Sequence, residues 1–360
     1  MLQMILSKLL SKSSTSKARF ILREASTMAT AQKIFIDSQN LGLWDKVKQT
    51  DEAARKATEL LQKDLEASTV LRRVSDLGLT CAVDTSCILQ RQWFPQSCKR
   101  IVPALSLRLS RRLWLIHPTQ IVHHILSLYG TGADATQLQK GFDANDGYQR
   151  PPIATHQRVI EDLRTWDHAS KYLAQEQYYP DFLAYFQREI SDKGWQAVVS
   201  EHLLAGTEAA DDLLVRLHAG LLHPMLQLMY GIEWEQPAIV AAALAQTCVH
   251  KLDFREALRA AEEKAHGAAG EEEEEMPRVM SLLREAHGHR ELAAAAGLTT
   301  LMDWERGGVP GAVLDLMGRV RVRPGDLEEK TVEMFDAAMF TAAAATFHAP
   351  KINKFDFFLM

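Results

Sequence analysis

The sequence predicts an all-α protein, a multi-helical, bundle-like single domain. Three observations predict it. Apolar residues recur at spacings of three and four almost throughout residues 117–265, the period of a helix with one buried face. Prolines open these segments and glycines close them, the punctuation of helices rather than strands. Beyond short valine-rich pieces, the alternating apolar–polar runs of half-buried strands are not found.

In chain order, residues 1–30 are rich in Ser, Lys and Arg, with Glu24 their only acid. This reads as a disordered tail, as coding sequence upstream of a start at Met28, or as a mitochondrial presequence. Residues 31–266 form the main helical domain. It opens on an amphipathic lead-in, "DEAARKATELLQKDLEASTVLRRV". Residues 76–116 are an atypical insert: they lack a period, hold Cys81, Cys87 and Cys98, and are locally basic. They read as intron retained in the coding sequence. The helices then follow: "HPTQIVHHILSLYGTGA" ends at Gly130 or Gly132, a C-cap glycine; "IATHQRVIEDLRTWDHASKYLA" is the next; "PDFLAYFQREISDKG" runs from Pro180 to Gly194; "PAIVAAALAQTCVHKLDF" starts at Pro237. Residues 267–276 carry five consecutive glutamates and read as a solvated acidic loop. Residues 277–360 continue the helical pattern and stop on the apolar "KINKFDFFLM", which reads as a truncated end.

Composition narrows the function. Apolar residues make up 47% of the 360, enough for a substantial core. A net charge of −5 and a pI near 6.2 give no basic stripe for nucleic acid. No run approaches the roughly 18 apolar residues of a transmembrane helix. Four cysteines without CxxC spacing argue against a zinc knuckle or ribbon and for reduced thiols, so the expected location is cytoplasmic, the mitochondrion being the alternative. "GTGADA" lacks the third glycine of a dinucleotide fingerprint and follows a helix. There is no phosphate loop, nucleophile elbow or HExxH, and no flavin-binding motif.

Histidines carry the remaining signal. His123 and His124 in "IVHHILSLYG", His223 in "AGLLHPMLQL" and His250 in "AQTCVHKLDF" lie on apolar helix faces. Neutral imidazoles suit iron, zinc or copper, and helices can converge them in a bundle core. These four are the candidate metal ligands; the rival for each is a hydrogen-bonded core histidine. Pro224 frees the carbonyl of Gly220, either as a kink within one helix or as a break between two. Gln227, one turn after His223, shares its face and either orients a ligand or bonds locally. His223 and Arg150, the latter in the rigid "YQRPP" loop, are the candidate catalytic residues. Tyr129, Tyr148, Tyr230 and Trp234 are candidate walls for a planar ligand.

The blocks "IVHHILSLYGTGADATQLQKGFDANDGYQRPP", "YYPDFLAYFQREISDKGWQAVVSEHLLAG" and "DDLLVRLHAGLLHPMLQLMYGIEWEQPAIVAAALAQTCVH", with "KINKFDFFLM" at the end, resemble the questin oxidase-like family of fungal secondary metabolism. The resemblance implies an oxygenase that opens a ring of an anthraquinone or related aromatic polyketide with O2, by Baeyer–Villiger-type insertion or dioxygenase-type cleavage. It implies a non-haem iron held by several histidines and a C-terminal lysine, with NADPH as a candidate reductant. Gln227 stands where members often carry another histidine, and the chain stops before the histidine that normally follows "FFLM". The rival readings are a catalytically inactive helical scaffold and a cofactor-free oxygenase with a histidine base.

Overall fold

The computed structural model describes residues 29–40, 42, 47–68, 120–146, 154–252, 255–267, 275–295 and 311–345. Among them there is no strand, as the all-α reading requires. No described helix is long and apolar enough to cross a membrane. Tyr148, Arg150, the 76–116 insert, the glutamates at 271–274 and the apolar end lie outside the described residues.

Residues 29–68 and 120–252 form one compact body. Its first helix, α1 (Asp51–Ser68), buries Ala53, Ala57, Leu60, Leu61 and Leu65 along one stripe. The Thr50 hydroxyl accepts the Ala53 N–H at 3.1 Å, and Asp51 and Glu52 fill the first turn. Helices α2 (Gln120–Gly130) and α3 (Ala135–Asp146) pack on α1 and on each other. The short α4 (Gln157–Asp162) leads through 3₁₀ turns at Trp166–Lys171 and Glu176–Tyr178 into α5 (Tyr179–Lys193). The fully buried Asp181 ties α4 to α5: its carboxylate accepts the His156 backbone N–H at 2.6 Å and pairs with His156 Nδ1 at 2.9 Å.

Next come α6 (Trp195–Leu203), α7 (Glu208–Leu217), a 3₁₀ turn at Gly220–Leu222, α8 (His223–Glu233) and α9 (Pro237–Val249). Every residue from Ala238 to Val249 is buried. An all-round apolar helix must sit at the centre of its body, and α5, α6, α7 and α8 pack around α9. Prolines 180, 224 and 237 all stand in first turns, where a missing N–H costs nothing. Glycine is required where α8 meets α9: a Cβ on Gly231 would lie 2.9 Å from the Val240 backbone nitrogen.

An extended N-terminal segment crosses this body without joining a sheet. Side chains satisfy its backbone instead: Ile34 N–H donates to Gln62 Oε1 at 2.8 Å and Ile36 N–H to Thr58 Oγ1 at 2.9 Å. Gln236, buried in the α8–α9 turn, accepts the Phe35 N–H at 2.9 Å and donates to the Phe35 carbonyl at 2.7 Å. One amide thus does the work of a strand neighbour.

Described residues from 255 to 345 belong to a second compact body: α10 (Arg255–Gly267), α11 (Val279–Gly288), α12 (Arg290–Ala295), α13 (Gly311–Met317) and α14 (Leu327–Ala345). Here α13 packs on α10, α11 and α12, and α14 on α11. Arg319 NH1 donates to both Glu285 carboxylate oxygens at 2.8 Å, and the buried Lys330 pairs with Glu333 at 3.3 Å. "GRVRVRPGD", expected as a short extended piece or turn, is a turn closing in the 3₁₀ unit Pro324–Asp326.

Candidate functional site

The chain makes its sharpest local departure just before His223. Gly220 has φ +58°, and Leu222, the residue that caps α8, has φ +66° and ψ 8°. A leucine in the left-handed region is strained, by roughly 1–2 kcal/mol. Pro224 therefore marks a break between two helical pieces rather than a kink within one. The Gly220 carbonyl accepts the His223 backbone N–H that closes the 3₁₀ turn, and the His223 ring meets the same oxygen, Nδ1 to oxygen 2.7 Å. A carbonyl only accepts, so Nδ1 carries a proton, and in the neutral ring Nε2 carries the lone pair. This is the arrangement in which an imidazole ligates a metal or serves as a base. His223 is 2% exposed and Nε2 is buried.

His123 arrives from α2. Its ring centroid lies 6.0 Å from that of His223, with 31° between the planes. Nitrogens about 2.1 Å from a shared ion would leave two ring centroids no more than about 6.5 Å apart, so the spacing suits two ligands of one ion. Tyr230, on α8, stacks on His123 at 5.3 Å and 20°. The Tyr230 hydroxyl shares a 2.5 Å hydrogen bond with Ser127 Oγ, which fixes the stack; burial pushes this phenol up. His223 is buried, His123 and Tyr230 are half-buried and Ser127 is exposed, so the group reaches from the core to the surface.

His250 is the residue that caps the end of α9. Burial, and after it His223, pushes the His250 imidazole down to about 4. The ring is neutral at physiological pH, as ligation demands. Its buried Nε2 has no hydrogen-bond partner among the described residues. Among those residues no three His, Cys, Asp or Glu side chains are arranged to hold a metal ion. What fits a metal is the His123–His223 pair.

His124 stands apart. Neighbours on a helix point about 100° from one another, and His124 turns to α3, where Asn145 Nδ2 donates to its Nδ1 at 2.8 Å. Its Nδ1 lone pair is engaged, the reverse of the His223 tautomer. His218, five residues before His223, bonds the Leu214 carbonyl through Nδ1 at 2.8 Å.

Two of the expected aromatic walls are core. Tyr129 and Trp234 meet edge to face at 5.3 Å, both buried, with Gly130 closing on the indole. Periodicity cannot distinguish a pocket wall from a core ring, because both lie on the apolar stripe. Gln227 is buried and its Oε1 has no hydrogen-bond partner among the described residues. With Asp64, Tyr179 and Val122 it lines a cavity of about 10 Å³, close to the space one water needs.

Sequence reasoning passed over Ser127 and Arg216. The latter is 6% exposed, pairs with Asp212 at 2.8 Å and donates from NH1 to the His250 carbonyl at 2.5 Å. An arginine on a helix with charged neighbours gives no signal of such a contact.

Comparison with known proteins adds the following. A family model described as questin oxidase-like matches residues 119–360. A questin oxidase from Aspergillus terreus is 33% identical over 248 residues, covering 66% of this chain and 54% of that protein. A Baeyer–Villiger oxidase from Pestalotiopsis microspora is 31% identical over 251 residues, 67% of this chain and 55% of the relative. A Baeyer–Villiger monooxygenase from a Cryptosporiopsis species is 32% identical over 246 residues, 67% and 55%. The chain spans about half the length of these relatives.

Proposed function

The chain belongs to the questin oxidase-like family, and from that premise we propose that it is an oxidoreductase that oxygenates and opens a ring of an anthraquinone or related aromatic polyketide. The observation that carries the reading is the His123–His223 pair, 6.0 Å apart, with the His223 tautomer set by Gly220 and Tyr230 stacked on His123. His123 and His223, with His250 as a candidate third ligand, would hold a non-haem iron, which supplies the activation of dioxygen. The protein's part is to set the His223 ring by its Nδ1 contact, to keep His250 neutral by burial, and to present the half-buried Tyr230 and His123 to a planar substrate. In the Baeyer–Villiger form one oxygen atom enters between the carbonyl carbon and its neighbour. The other leaves as water with two electrons from NADPH. In the dioxygenase form both atoms enter the product and no reductant is consumed. The buried free thiol of Cys248 supports a reducing, cytoplasmic location.

The test is to load the purified chain anaerobically with Fe(II), add an anthraquinone such as questin, and admit O2 with and without NADPH. Expected are metal-dependent O2 consumption and a product heavier by one or two oxygen atoms. Full activity after chelation would favour a second reading that the same His223 tautomer supports: Nε2 acts as a general base, making a phenolate that reacts with O2 directly. No turnover with or without metal, from a folded chain, would overturn both.

A further inference from the structure

We propose that Gln227, Asp64 and Tyr179 bind a single ordered water inside the larger body, and that this water links α8, the helix of His223, to α1.

These three residues and the apolar side chains of Ile34, Leu61 and Ile239 line a cavity of about 10 Å³. Each of the six is at most 3% exposed, so the walls belong to the interior. The volume is about what one water needs. A small cavity lined by leucine and isoleucine alone stays dry, whereas a buried water is held where about two to four polar groups converge. Three such groups line this one. Gln227 Oε1 is buried and has no hydrogen-bond partner among the described residues. An amide oxygen taken out of water without a new donor destabilises the fold, and a water in the cavity supplies that donor.

Donors and acceptors balance. Burial, and after it the charge of Asp64, pushes the Tyr179 phenol up, so its hydroxyl keeps the proton and donates. The Asp64 carboxylate and Gln227 Oε1 accept. A water that accepts from Tyr179 and gives one O–H to each of the other two satisfies all three. The three groups come from different helices: Asp64 from α1, Tyr179 from the first turn of α5 and Gln227 from α8. Helix α1 packs on α2 and α3, and α8 packs on α9 and α2; the water adds a polar link from α1 to α8. Gln227 follows His223 by one turn on the same face, so the link holds α8 against rotation close to that histidine. Of the two roles the sequence leaves open to Gln227, orienting a ligand or bonding locally, the cavity favours the first, with water as the ligand.

The experiment uses the whole chain with isotope-labelled glutamine amides, as wild type, Gln227→Leu and Tyr179→Phe. In the wild type the Gln227 amide protons should show cross-peaks to water of through-space sign, which separates contact from proton exchange. Magnetic relaxation dispersion of the water oxygen counts long-lived internal waters, and Gln227→Leu should lose one of them. Tyr179→Phe removes the hydroxyl but leaves two partners for the water, so the Gln227 cross-peak should persist. Its loss together with one long-lived water would also support the site, the phenol then being needed to hold the water. Three results would overturn the proposal: no water cross-peak at Gln227 in the folded wild type, an unchanged count in folded Gln227→Leu, or a cross-peak lost in Tyr179→Phe with the count unchanged, which would trace the signal to the phenol. Should Gln227→Leu fail to fold, the wild-type and Tyr179→Phe spectra decide. Metal and turnover enter none of these readouts, so failure of the oxygenase reading would leave the result standing.

Discussion

His202 and His250 are both imidazoles of the larger body, and burial pushes both down to about 4. Their surroundings could hardly differ more. His202 sits in an aromatic box: its centroid is 4.4 Å from Trp166, 5.2 Å from Phe186 and 5.8 Å from Tyr185, and Nε2 meets the Tyr185 hydroxyl at 3.3 Å. His250 has no ring contact and no partner for Nε2 among the described residues, and the charge that adds to its shift is that of another histidine. A lowered pKa therefore reports burial and not role. What separates a core histidine from a candidate ligand is whether its ring nitrogens are already used.

The strongest way to break this comparison is to delete one histidine from each environment. His223→Ala is expected to lower Fe-dependent turnover by more than the roughly 100-fold that loss of an outer-shell partner costs, with helical circular dichroism retained. His202→Phe, which fills the aromatic box, should leave turnover per folded molecule unchanged. Equal loss in both variants, or a His223→Ala chain that aggregates while its folded fraction stays fully active, would return His223 to the core.

Acidity sharpens it next. The unfolded His202 ring takes up a proton near 6.5, the folded ring only near 4. Between those values the unfolded chain binds more protons, so His202 stabilises the fold above pH 6.5 and that contribution is lost as pH falls toward 4. A shift from 6.5 to 4 corresponds to about 3 kcal/mol. Urea unfolding of the wild type at a series of pH values should show the slope, and His202→Phe should flatten it. An unchanged slope in the variant would mean that His202 is already protonated in the fold or is not buried.

Much of this was legible in the sequence, for reasons that name their own limits. Helix existence follows from local pattern, and the first-turn positions of Pro180 and Pro237 and the boundary at Gly194 were readable as punctuation. His123 and His223 were readable as imidazoles on apolar stripes. Choosing between His123 and His124 needs the rotation of α2, which its packing on α1, α3 and α8 decides. Tyr129 and Trp234 were misplaced because an apolar stripe does not say whether a ring meets protein or ligand. Gln236 and Arg216 were invisible because their partners, Phe35 and His250, lie 201 and 34 residues away. Such contacts exist only once the chain is folded.

The α8–α9 contact that underlies the His250 side of the comparison can be tested through Gly231. A methyl there would press on the Val240 nitrogen at 2.9 Å. Backbone cannot swing aside as a side chain can, so Gly231→Ala should destabilise by about 1–3 kcal/mol, read as a lower urea midpoint. It should also disturb His223 more than His202, visible in their ring chemical shifts. A neutral substitution would mean that the two helices are not in close contact.

The smallest expected effect concerns how the two helices begin. Both α6, which carries His202, and α8, which carries His223, start from a residue of positive φ: Gly194 at +82° and Leu222 at +66°. Glycine takes such angles freely, whereas leucine is strained. In an ordinary helical or extended setting alanine is more stable than glycine by roughly 0.5–1 kcal/mol. At position 222 the order should reverse, Leu222→Gly exceeding Leu222→Ala by about 1 kcal/mol, because both lose the leucine side chain but only glycine sheds the strain. Gly194→Ala should cost a similar amount. The strained turn also presents the Gly220 carbonyl to His223 Nδ1, so relaxing it with glycine should loosen that hydrogen bond and lower turnover while leaving stability near that of the wild type. Strain kept at one histidine and avoided at the other is what a working site predicts. Urea midpoints for the three variants decide the matter: an alanine at 222 more stable than a glycine there would mean that the turn is not left-handed, and the His223 tautomer would lose the backbone acceptor that sets it.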